Sequence, residues 1–183
     1  MRKWNAILSM GILVLFLIHA VAGALQMAGF LSGGSAVMGI MARVMLVLAV
    51  LHVIIGCKLT ADTLRSIKRS GVSYPKENRL FWVRRISGFA VMAFIVCHLL
   101  IFMGNERDGV VRLHPFEGVQ LVTQILLVLS IAVHVLTNIR PLMIALGERK
   151  FQKLLLDALI VLAGLLLAAG VGFVIYFIRW NAM

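Results

Sequence analysis

An all-α, membrane-spanning bundle of five helices is the fold class this sequence predicts, and three observations predict it. Hydrophobic residues make up 62% of the chain and the mean hydropathy is +1.03, well above a soluble globular domain. A spanning helix needs about 20 apolar residues, and five stretches supply them, at residues 4–30, 37–57, 81–103, 118–139 and 154–177. The connections between them are too short to fold alone, so residues 1–183 are expected to form a single transmembrane domain. Chemistry on a water-soluble substrate would then belong to a partner.

The first stretch begins with Arg2 and Lys3 and ends near Ala22-Gly23-Ala24, a pattern that resembles a secretory signal with its cleavage site. Its apolar run is long enough to span, so it is read as a retained first helix. The second closes at Cys57-Lys58, where a basic connection of residues 58–85 begins. The third starts as that connection ends. The fourth stops at Arg140-Pro141, and the fifth follows a second basic connection and carries Asp157 near its start.

Orientation follows from the cations. With the N-terminus in the cytoplasm, the inner face receives Arg2, Lys3 and the connections 58–85 and 140–153, which hold 14 of the 18 Lys and Arg. Arg43, Arg107, Arg112 and Arg179 lie towards the outside, as does the C-terminus. The formal charge of +11 is thus a topology signal with some attraction to anionic lipid. No soluble basic domain exists to bind nucleic acid. Cys57 and Cys97 fall at opposite ends of their helices, and the chain has neither a CxxC pair nor a CxxCH sequence. Any haem would be of the b type, held without a covalent bond.

One histidine lies in each of the first four stretches: His19, His52, His98 and His134. Imidazoles at such depth are costly and mark a functional site by default. His19 sits about 22 Å from the inner end of its helix and His98 about 26 Å, while His52 and His134 sit about 8–9 Å from the inner boundary. Two planes result, each with histidines from two helices, which suits bis-histidine haem iron. The pairing implied is His19 with His98 outside and His52 with His134 inside. Zinc or copper would gather more ligands at one level. A proton-relay transporter would ordinarily add intramembrane carboxylates, and single histidines could simply bond a neighbouring helix.

The same residues suggest an internal repeat. VLAVLHVIIGCK and LSIAVHVLTNIR both place a cation, Lys58 or Arg140, six residues after the histidine. Ser9 and Gly11 precede His19 as Ser87 and Gly88 precede His98, and the separations within the two histidine pairs of neighbours are 33 and 36 residues. The first four helices thus read as two copies of one hairpin inserted in the same sense, an up-down core to which the fifth is added.

Secondary candidates have two readings each. Arg43 lies about 14 Å outward of His52, where it would either pair with a haem propionate or snorkel to the headgroups. Lys58, Arg85 and Arg140 could serve inner propionates or act as positive-inside anchors. Gln26 and Gln124 could hydrogen-bond a quinone or fill a helix interface. His114, beside Pro115, reads as a solvated loop residue. Gly88, Gly164, Gly170 and Gly172 read as close-packing positions.

With these residues in view, the chain resembles the membrane cytochrome b subunit of succinate:quinone and quinol:fumarate oxidoreductases, in its five-helix, two-haem, single-polypeptide form. The match rests on His19, His98, His52 and His134, and on RRISGFAVMAFIVCH at residues 84–98, similar to the family's Arg-x-Ser-Gly helix start. The resemblance implies two haem b groups, with Arg85 and Ser87 near quinone or a propionate. It also implies a respiratory-chain role in the cytoplasmic (inner) membrane. Electrons would pass between a cytoplasmic flavin and iron–sulfur partner, of succinate dehydrogenase or fumarate reductase type, and menaquinone or ubiquinone. A dimeric complex is compatible with it. Ala132 stands where some members carry a membrane glutamate, and residues 29–38 lack the acidic residue some place near quinol, so coupled proton movement is not implied. Two alternatives stay open: a cytochrome b anchor for another quinone-linked dehydrogenase, and a haem-free scaffold or transporter.

Overall fold

The computed structural model describes residues 1–71, 79–103, 106–107, 110–111, 116–147 and 152–182. Five long helices dominate them: α1 (Arg2–Ala28), α2 (Ala36–Ser70), α3 (Arg79–Phe102), α4 (Gly118–Ala145) and α5 (Gln152–Asn181). Each is long and apolar enough to cross a membrane. In the α3–α4 connection a two-residue antiparallel ladder joins β1 (Glu106–Arg107) to β2 (Val110–Val111). His114 and Arg112 lie outside the described residues.

Helix ends follow local chemistry. α1 closes on Gly29, whose φ of 86° suits a residue without a side chain and turns its N–H back to the carbonyls of Gln26 and Leu25. Arg179, in the last turn of α5, donates from Nη1 to the Met27 carbonyl at 2.9 Å. A cation there satisfies an orphan carbonyl at the negative end of α1. At the start of α4, Glu117 and Gln120 form a capping box, with the Glu117 N–H donating to Gln120 Oε1 at 3.1 Å.

Two helices run past the ends expected from hydropathy. α2 does not stop at Cys57 but continues to Ser70, so residues 58–70 of the expected connection are helical. Thr60 and Thr63 donate to the carbonyls of Gly56 and Leu59, and Asp62 lies 3.9 Å from Arg65. These are local contacts one turn apart along a polar helix that extends beyond the apolar segment. α4 continues through Pro141 to Ala145. Proline removes the amide that would bond the carbonyl four residues back, that of Thr137. Arg84 Nε supplies the missing donor at 2.9 Å.

The packing order is α2–α1–α4–α3, with α5 lying against α1 and α4. Among the described residues the backbones of α2 and α3 stay apart, as do those of α1 and α3 and of α2 and α4. The helices thus make two hairpins, α1–α2 and α3–α4, hinged at α1 and α4 and backed by α5. Within lipid such contacts rest on close backbone approach and polar bonds rather than on the hydrophobic effect. Gly172 illustrates this, since a Cβ there would come 3.2 Å from Ala24 Cα. An aromatic cluster of Phe116, Phe173 and Tyr176 anchors α5 to the start of α4.

α2 buries no residue over its 35 positions. The chain exposes 12187 Å², where a compact soluble fold of its mass exposes about 8,800 Å², as befits long helices with lipid-facing rows.

Candidate cofactor site: two histidine pairs

The four helical histidines meet in twos. His19 of α1 faces His98 of α3, with ring centres 6.2 Å apart and planes at 76°. His52 of α2 faces His134 of α4 at 6.4 Å and 81°. Each pair therefore takes one ring from each hairpin, along the diagonals where the helix backbones stay apart. Among the described residues no group of three or more His, Cys, Asp and Glu forms around either pair.

Their levels follow from helix rise. Ser9 of α1 touches His52 and lies ten residues from His19, about 15 Å along the axis. Gln124 of α4 touches His98 and lies ten residues from His134, again about 15 Å. The His52–His134 pair is at the end of the bundle where α1 begins, which carries most of the cations; this is the basic end. The His19–His98 pair is at the far end.

Three of the rings have a hydrogen-bond partner at Nδ1. Ser9 Oγ donates to the Asn5 carbonyl at 2.8 Å and lies 3.2 Å from His52 Nδ1. Ser87 Oγ likewise lies 3.2 Å from the Arg84 carbonyl and 3.3 Å from His134 Nδ1. At the far end Thr123 Oγ1 donates to the Gln120 carbonyl at 2.8 Å. Its oxygen receives the Gln124 amide N–H at 3.3 Å, which turns the Gln124 carbonyl to His98 Nδ1 at 2.7 Å. This chain of bonds ends on a backbone carbonyl, which cannot donate.

Consequently His98, whose Nδ1 faces an amide oxygen, carries its proton on that nitrogen. Nε2 is left as a lone pair, the tautomer that metal-ligating histidines adopt when a neighbour holds the other nitrogen. Among the described residues no hydrogen bond holds the His19 ring.

The spacing fits a metal between the rings. Two metal–nitrogen bonds of about 2.0 Å, with about 1.1 Å from each nitrogen to its ring centre, place the centres about 6.2 Å apart. Both observed separations lie within a few tenths of an ångström of that span. Gly88 leaves room for His134, since a Cβ there would come 3.2 Å from its Cε1. At the far end Phe102 and Phe173 flank His98 at 4.8 and 6.5 Å between ring centres. The residues present therefore fit an iron held by two imidazoles at each level.

Other expected site residues are divided. Arg85 stands by the basic-end pair, where its charge bears on both His52 and His134. Its guanidinium carbon sits 5.1 Å over the Phe81 ring, and its Nε is buried without a hydrogen-bond partner. Ser87, buried, is committed to His134. Gln124, fully buried, stands at the helix interface against His98. Arg43 is exposed and lies back along its own helix over Gly39. Gln26 is turned to the Ser32 carbonyl at 3.4 Å. Lys58 and Arg140 are exposed at the basic end. Cys57 and Cys97 are free thiols.

Two groups of site residues are not singled out by histidine placement: Ser9 as a partner of His52, and the Gln120–Thr123–Gln124 chain. The latter does leave a trace, as polar side chains at i, i+3 and i+4 in an otherwise apolar run.

Five apolar helices and intramembrane histidines on four of them make the chain a multi-pass helical membrane protein. No protein-family model, curated protein or solved structure matches it.

Proposed function

We propose that the chain is a di-haem b membrane anchor that carries electrons between a cytoplasmic flavin and iron–sulfur partner and membrane quinone. It would be of the kind found in succinate:quinone and quinol:fumarate oxidoreductases. One observation carries the proposal: two histidine pairs, 6.2 and 6.4 Å between ring centres, each joining the two hairpins.

Haem, when bound, supplies reversible one-electron chemistry at iron. The chain's own residues do the rest. His52 and His134 hold the basic-end group, and His19 and His98 the far one. Ser9, Ser87 and Gln124 would orient three of the rings through Nδ1. Arg85, with its buried and unpartnered Nε, would meet a propionate, since a buried donor is costly until an acceptor reaches it. The likeness of the Ser9–His52 and Ser87–His134 contacts supports two copies of one hairpin.

The positive-inside rule puts the basic end in the cytoplasm and the C-terminus outside. Exposed Lys58, Arg65, Lys68, Arg69, Arg79 and Arg140 form the face on which an acidic partner surface would dock. The quinone half of the proposal is supported by the resemblance alone.

A dithionite-reduced minus oxidised spectrum of the purified chain, with haem counted by pyridine haemochrome, tests the proposal. Two b-type haems per chain are expected, and His52→Ala should leave one. A colourless protein, or His52→Ala retaining both haems, refutes it.

A further inference from the structure

The basic-end pair is held by two hydroxyls, Ser9 Oγ and Ser87 Oγ, at 3.2 and 3.3 Å. The far pair is held differently. His98 Nδ1 meets an amide carbonyl at 2.7 Å, and among the described residues no hydrogen bond holds its partner His19. An amide oxygen at this distance is a stronger acceptor than a serine oxygen half an ångström further off.

Gln124 is also fully buried, so water cannot take its place. Its orientation is set by Thr123 and the Gln120 carbonyl. Phe102 and Phe173 close on the ring, so His98 has little freedom to turn away.

We propose that Gln124 is a positioning residue that acts through His98, fixing its tautomer and lowering the potential of the far redox centre. The proposal rests on the di-haem assignment. A strong acceptor on Nδ1–H draws the proton towards itself and enriches Nε2 in electron density, which favours the oxidised iron.

Spectroelectrochemical titration of the intact chain reads both centres separately. Gln124→Met keeps the volume and removes the acceptor; it should raise the potential of the far centre and leave the other in place. Gln124→Glu offers a stronger acceptor and should lower it. Packing alone would not move one centre in opposite directions with two side chains of similar size. Shifts of the same sign in both variants, or equal shifts of both centres, overturn the proposal.

A second measurement does not need haem. In the haem-free full chain, labelled with ¹⁵N-histidine in micelles and assigned with His98→Ala, His98 should be protonated on Nδ1 in wild type and lose that preference in Gln124→Met. Protonation on Nε2 in wild type overturns the proposal. A wild-type chain that binds no haem yet shows the Nδ1 tautomer would instead sink the di-haem assignment while upholding the Gln124–His98 link.

Discussion

Arg84 reaches from α3 to the carbonyl of Thr137 on α4, 2.9 Å from its Nε, and that carbonyl is the one Pro141 leaves without an amide. A proline that would end a helix in isolation is accommodated because a second helix provides the donor. The bond also fixes the register of α3 against α4, and with it the level at which Ser87 meets His134.

Arg84→Leu should therefore destabilise the folded chain by about 1.5–3 kcal/mol, the cost of leaving a carbonyl that bonds a charged donor unsatisfied. Pro141→Ala restores an amide in the same place. In that background the cost of Arg84→Leu should fall below about 1 kcal/mol. Unfolding of the four proteins of this cycle in detergent measures the coupling. Equal costs in both backgrounds would show that Arg84 acts elsewhere.

Gly88 decides whether the basic-end pair can form. A Leu there would occupy the place of the His134 ring, whose Cε1 lies 3.2 Å from the position of a Cβ. Gly88→Leu should reduce haem content from two per chain to one. Gly164→Leu, on α5 and with nothing within 4 Å of a Cβ, should leave it at two. Haem counted per polypeptide distinguishes them.

The α1–α5 contact makes a matched pair of substitutions informative. Gly172→Leu would press on the Ala24 backbone, which cannot rotate away, and should destabilise by about 1–3 kcal/mol. Gly164→Leu projects into open space and should change stability by no more than about 0.5 kcal/mol. Thermal unfolding in one detergent compares the two.

Hydropathy and histidine spacing make the five helices and both histidine levels legible, because lipid imposes length and depth on every spanning segment alike. Ends of helices are less legible. Hydropathy stops α2 at Lys58, although a polar helix carrying Thr60, Asp62, Thr63 and Arg65 extends beyond it, and stops α4 at Pro141, although Arg84 repairs the ladder from 53 residues away. Partnerships are least legible. Ser9 precedes His19 in the sequence yet bonds His52, and Gln124 finds His98 across 26 residues, because both contacts depend on how helices pack rather than on period along one chain.

The splitting of each histidine pair between the two hairpins has a consequence for biogenesis. Neither hairpin owns both rings of a pair, so a nascent product with only α1 and α2 in the membrane has His19 and His52 without their opposite numbers. Under the di-haem proposal, capture of the prosthetic group would wait until the second hairpin had arrived and docked in register. The same group would then clasp two halves whose outermost helices, α2 and α3, keep their backbones apart among the described residues. Cofactor loading would thus double as proof of completed assembly.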